Sequence, residues 1–105
     1  MAGADLVIAH MGLTTKGTIG ATTALSLEQS IARVRAIYNA AVAVNPQILV
    51  RCHGGPIAEP KDVQYILSRC RGIAGFFGAS SMERLPVERA IREQVRDFKS
   101  LSISI

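Results

Sequence analysis

The chain has 105 residues, 49% hydrophobic and 19% charged, which is enough for one domain and too little for two. That hydrophobic share excludes disorder, and the uncharged apolar runs are too short to cross a membrane. Twelve Lys and Arg against eight Asp and Glu leave a formal +4 with no basic run, and aromatic residues are only 5%. The interleaving of bases and aromatic rings that single-strand binders need is missing, so neither nucleic acid nor a membrane is an expected partner.

The first predicted strand is Asp5–Ala9, a near-uniform apolar run of the kind covered on both faces in parallel sheets. It ends at His10-Met11-Gly12, and Leu13–Thr23, with two glycines and five threonines, reads as a long polar loop. Ser26 with Gln29 fits a capping box opening a helix. Leu27, Ile31, Val34, Tyr38 and Ala41 then give that helix one apolar face, and Asn45-Pro46 stops it. A second strand, Ile48–Cys52, runs into His53-Gly54-Gly55-Pro56. Pro60 suits a first helical position, with Val63, Ile66, Leu67 and Cys70 on the inward face and Gly72 at the end. The third strand is Ile73–Phe77, followed by Gly78-Ala79-Ser80-Ser81. A last helix starts near Pro86 and should bury Val87, Ile91, Val95 and Phe98, with Glu88 and Arg92 paired on its wet side. Residues 100–105 form an irregular tail. The core is expected at Leu6/Ile8, Val34/Tyr38, Val63/Ile66/Leu67 and Ile91/Val95.

Strands alternating with helices imply parallel pairing and right-handed crossovers, hence an α/β fold of three consecutive βα units. Three such units leave open edges and an uncovered inner face, whereas a complete eight-unit barrel takes about 250 residues. The expectation is therefore that residues 1–105 are about the last three units of a (β/α)8 barrel. Alone, such an arc should self-associate or pair with the remainder of the barrel, because open parallel edges invite pairing.

In parallel α/β folds the loops after the strand ends build the site. Small residues in those loops let backbone N–H groups approach an anion. Gly12, Gly54, Gly55, Gly78, Ala79, Ser80 and Ser81 are accordingly candidate phosphate or substrate contacts, with ordinary turn-making as the competing account of the glycines. His10 and His53, at equivalent strand ends, are candidate catalytic acid–base groups, with capping of each strand end by a hydrogen bond to backbone as the competing account. Lys16 reads either as a solvated loop lysine or as an anion contact. Arg51 shares a side with Leu49 and His53, and that side is either the barrel interior or the helix-facing layer. Cys52 and Cys70 read as small core hydrophobes in a reducing, cytoplasmic compartment, since two cysteines make no disulfide framework and the first residues lack a basic signal region. Metal ligation by the histidines lacks a regularly spaced third ligand; no cofactor is called for, although a divalent cation such as Mg is compatible with an intact barrel.

The strings ADLVIAHMGLTTKGTIGA, ILVRCHGGPI and GFFGASSMERLPVE resemble the phosphoenolpyruvate hydrolase-like family of TIM-barrel proteins. The chain is also similar to the C-terminal barrel of the plant tomato mosaic virus resistance protein family, down to the closing RDFKSLSI. The resemblance implies a barrel shaped like indole-glycerol-phosphate synthase, with Met1-Ala2-Gly3 in the connection before the sixth strand. It implies a small phosphorylated or phosphonate carboxylic acid as ligand, and hydrolase- or lyase-type turnover in the full-length barrel but not in this stretch alone. The carried-over motifs are His10-Met11-Gly12, His53-Gly54-Gly55-Pro56 and Gly78-Ala79-Ser80-Ser81. Lys16 and Arg51 depart from the small polar and aliphatic residues expected there. A non-catalytic ligand-binding or regulatory barrel within a larger multidomain protein is the alternative.

Overall fold

The computed structural model of the chain describes residues 2–18, 20 and 25–104. The elements are β1 (Leu6–His10), α1 (Leu27–Val44), β2 (Leu49–His53), α2 (Pro60–Arg69), β3 (Gly75–Phe76), α3 (Ser80–Glu83) and α4 (Leu85–Lys99). The three strands are parallel and lie in the order β1-β2-β3. Leu6, Ile8 and His10 stand opposite Leu49, Arg51 and His53, and Arg51 stands opposite Gly75.

Local signals explain most boundaries. The Ser26 hydroxyl accepts from the Gln29 amide at 3.0 Å, and the Gln29 side chain accepts from the Ser26 amide at 2.9 Å, closing the capping box of α1. At the far end Asn45 N–H donates to the Ala41 carbonyl at 3.0 Å, and Pro46 cannot continue the helix. Pro60 opens α2 with no amide to leave unpaired. β3 is shorter than the predicted Ile73–Phe77, because only Gly75 and Phe76 pair with β2. The tail from Ser100 to Ser104 carries neither helix nor strand.

Successive parallel strands added in one direction with crossovers of one hand put their helices on one face. The strand order β1-β2-β3 and the burial pattern fit that arrangement. Ala9, Val50 and Cys52 are fully buried on the helix side, packed with Val34, Ile57, Ile66 and Cys70. The alternate residues face the other way, where Leu6 and Leu49 are exposed and Ile8 half-buried. Leu6 is thus not the core residue that its apolar run suggests. Among the described residues no helix is long and apolar enough to cross a membrane.

The last helix corrects a second expectation. Val87, Ile91, Val95 and Phe98 form the predicted apolar face of α4, yet all four are exposed, and only Leu85 is buried. A helix in a βα array beds into the groove between two neighbouring strands; α1 packs on β1 and β2 in this way. α4 follows a two-residue strand at the sheet edge and, among the described residues, has no second strand beside it; the molecule measures 72 × 24 × 22 Å.

Candidate functional site

The carboxyl ends of β1 and β2 bring His10 and His53 together. Their ring centroids are 4.6 Å apart at an interplanar angle of 81°. Each ring is anchored through Nδ1, but in opposite senses. The Gly12 amide donates to His10 Nδ1 at 3.0 Å, so a neutral His10 carries its proton on Nε2. His53 Nδ1–H donates to the Phe77 carbonyl at 2.6 Å, which leaves its Nε2 lone pair free. One imidazole therefore offers a donor and its neighbour an acceptor. The Phe77 ring meets the edge of His53 with centroids 5.3 Å apart, completing a rim layer of His10, His53 and Phe77.

The glycines after β2 have a structural task. Gly54 (φ +78°) and Gly55 (φ +60°) lie in the left-handed region. A Cβ on Gly54 would press on the Gly12 carbonyl oxygen, and one on Gly55 would come within 2.5 Å of the Met11 carbonyl oxygen. Gly55 N–H donates to the Gly12 carbonyl at 2.7 Å, so this amide is directed at protein. The two loops are joined further where Thr15 N–H donates to the Gly55 carbonyl at 3.3 Å.

The loop after β1 then crosses to the third loop. The Thr14 and Ser80 hydroxyls are hydrogen-bonded at 2.8 Å, and Ser81 Oγ is buried with no hydrogen-bond partner among the described residues. Gly12, Gly54, Gly55, Gly78 and Ala79 thus lie in the three loops after the strands, with Ser80 and Ser81 opening α3, and the first loop bonds to both of the other segments.

Residues 1–101 match the family described as phosphoenolpyruvate hydrolase-like. The chain belongs to that family. Two tomato (Solanum lycopersicum) proteins are similar over 102 residues and 97% of the chain: "ToMV susceptible protein tm-1(GCR26)" at 57% identity and "ToMV resistance protein Tm-1(GCR237)" at 56%. A protein of Sinorhizobium fredii (strain NBRC 101917 / NGR234), "Putative transcriptional regulatory protein y4pA", is 32% identical over 100 residues, 95% of the chain. The chain spans 14% of the length of each tomato protein and 16% of the bacterial one.

Around the rim, this phosphoenolpyruvate hydrolase-like chain holds an ion network that its sequence did not reveal. Lys16 is neither a free lysine nor an anion contact: its Nζ lies 2.8 Å from Asp62 Oδ2 and 3.1 Å from Glu59 Oε2. Asp62 is 3% exposed, and the same Oδ2 accepts from the Ala58 and Glu59 amides at 3.2 and 2.9 Å. The available signal was an acid three residues after Glu59 at the start of α2, a capping position. Glu59 also pairs with Lys61 and Arg89, while Arg84 donates to the Lys16 carbonyl at 3.0 Å. Glu88 turns inward too. It accepts from the Thr18 hydroxyl at 2.8 Å and lies 3.5 Å from Arg84, which is its close ion pair, while the predicted partner Arg92 acts on it as a nearby charge. The Thr18 hydroxyl bond, with help from the Thr18 amide and Arg84, holds the Glu88 carboxyl below the ordinary carboxylate range.

Arg51 takes the open side. Val50 and Cys52, its neighbours on β2, are fully buried under the helices, so Arg51, Leu49 and His53 share the helix-free face. Both cysteines are free and buried, as their pattern suggested. Burial pushes the Cys52 thiol up to about 11 and raises Cys70 as well, which suits neither to act as a nucleophile. Among the described residues no three His, Cys, Asp or Glu side chains are grouped to hold a metal ion. The histidine pair on its own does not make a Mg or Zn site.

Proposed function

We propose that this chain is an arc of a (β/α)8 barrel and carries part of a rim that binds a small phosphorylated or phosphonate carboxylic acid of the phosphoenolpyruvate type. The arc is supported by parallel strands in sequential order, helices on one face, and an opposite face bearing Leu6, Ile8 and Leu49 that further strands would cover. Those strands would come from the rest of a longer protein or from a second copy. A reducing, cytoplasmic setting belongs to the same proposal, supported by the free thiols.

The observation that carries the site is the histidine pair, with Nε2–H of His10 and the Nε2 lone pair of His53 at neighbouring strand ends. In a hydrolytic role His53 takes a proton from water as its oxygen bonds to phosphorus. His10 Nε2–H hydrogen-bonds the departing enolate oxygen as the P–O bond breaks, and the proton gained by His53 returns to the enolate, which leaves as pyruvate beside phosphate. The Thr14 and Ser80 hydroxyls, Ser81 and the backbone of Gly54, Gly78 and Ala79 would flank the phosphate, whereas the Gly12 and Gly55 amides are already given to His10 Nδ1 and the Gly12 carbonyl. Proton NMR of the histidine Cε1–H signals tests the site. Phosphoenolpyruvate should shift both signals saturably, and no shift of either would reject the rim.

Binding without turnover is the second reading. It is favoured by the names of the relatives, a susceptibility or resistance protein and a regulator, and by the small share of each that the chain spans. On that reading His10→Ala and His53→Ala variants keep their affinity for phosphoenolpyruvate, and a coupled pyruvate assay on the longer protein detects no product.

A further inference from the structure

We propose that Arg51 grips the carboxylate of the ligand one layer beneath the histidines, so that the rim selects a phosphorylated acid over phosphate alone. This rests on the rim reading above. The register puts Ile8, Arg51 and Gly75 side by side, one layer below His10, His53 and Phe77. Two residues of strand, about 6.6 Å, separate Arg51 from His53, a distance an extended arginine side chain covers.

Nothing in its own layer answers the charge. Ile8 is aliphatic and Gly75 has no side chain; a Cβ built on Gly75 would meet nothing within 4 Å, so space lies open beside the guanidinium's strand position. The ion pairs among the described residues engage Lys16, Lys61, Arg84 and Arg89, and none engages Arg51. A half-buried arginine on a face of Leu6, Ile8 and Leu49 is therefore a cation without a local counter-charge. Its planar fork matches a carboxylate with two parallel hydrogen bonds. The Thr14 and Ser80 hydroxyls, bonded to each other at 2.8 Å, follow the ends of β1 and β3 in the chain. The two anionic ends of a phosphoenolpyruvate-type acid would then be held at two levels, the carboxylate at Arg51 and the phosphate beyond the strand ends.

The test is calorimetric or NMR titration of the 105-residue chain with phosphoenolpyruvate and, separately, inorganic phosphate. Arg51→Gln should weaken phosphoenolpyruvate roughly 10- to 100-fold and change phosphate by less than about twofold. Arg51→Lys, which keeps charge but not the fork, should fall between wild type and Arg51→Gln, and it decides the matter if the glutamine variant does not fold. Unchanged phosphoenolpyruvate affinity in both variants overturns the assignment, as does an equal loss for phosphate. A wild-type chain that binds neither anion rejects the rim reading itself, and this proposal with it.

Discussion

Asp62→Ala is the sharpest probe of how the rim is held. One oxygen, Asp62 Oδ2, accepts from Ala58 N–H, Glu59 N–H and Lys16 Nζ at 3.2, 2.9 and 2.8 Å. Truncation leaves two backbone donors unpaired at the start of α2, and Ala58 is 4% exposed. Unpaired buried donors cost about 1–3 kcal/mol each, with the half-buried Glu59 amide at the low end. The Lys16 side chain is 37% exposed, so solvent screening reduces its ion pair to about 0.5 kcal/mol. The expected loss is about 3 kcal/mol, a fall in Tm of roughly 12–24 °C for a chain of this size. Lys16→Met should cost only about 1 kcal/mol, and the double variant little more than Asp62→Ala alone. Urea unfolding followed by far-UV circular dichroism measures all three. If Asp62→Ala lies within about 0.5 kcal/mol of wild type, or if Lys16→Met is as costly, the aspartate is not the hub described above.

Three further outcomes are expected. Gly54→Ala should lose about 3 kcal/mol from left-handed strain plus contact with the Gly12 carbonyl, whereas Gly3→Ala, equally left-handed but in open space, should lose only about 1 kcal/mol; equal costs would remove the loop-packing argument. Long-range ¹⁵N–¹H NMR correlations should show Nε2–H for neutral His10 and Nδ1–H for neutral His53; the same tautomer at both would refute the donor–acceptor pairing. Glu88 sits below its unfolded-state range, so its contribution is present at neutral pH and lost as pH falls through the carboxylate range to the folded value. Wild type and Glu88→Gln should accordingly converge in urea midpoint as the pH drops, and a constant gap across the titration would contradict the Thr18 and Arg84 bonds.

What was legible in the sequence was local. Ser26 and Gln29 lie three residues apart, and the capping box they spell is formed. The 3.6-residue period located the apolar face of α4 correctly, but a period names a face and not the surface that meets it; Val87, Ile91 and Val95 stayed exposed for want of a neighbouring strand. Strand alternation separated Arg51 from Cys52, yet which side the helices would take depends on the sense in which strands are added, a property of the whole sheet. The rim histidines were readable because equivalent strand ends repeat. The Lys16–Asp62 pair was not, because 46 residues separate its members and neither belongs to a recurring pattern. The paired glycines after β2 were visible as small residues; that they answer to the Gly12 and Met11 carbonyls emerges only when two loops meet.

The alternation along β2 divides labour between neighbouring codons. Positions 50 and 52 answer to the fit of α1 and α2. Positions 49, 51 and 53 answer to whatever approaches from the opposite side. Substitutions at 51 leave that hydrophobic layer intact, so on the proposed reading of the rim this strand is a place where ligand preference could change at little cost in folding. Insertion of a single residue has the reverse effect: it would drive a guanidinium beneath the helices and turn a thiol to the opposite face, so that the hydrophobic layer is lost.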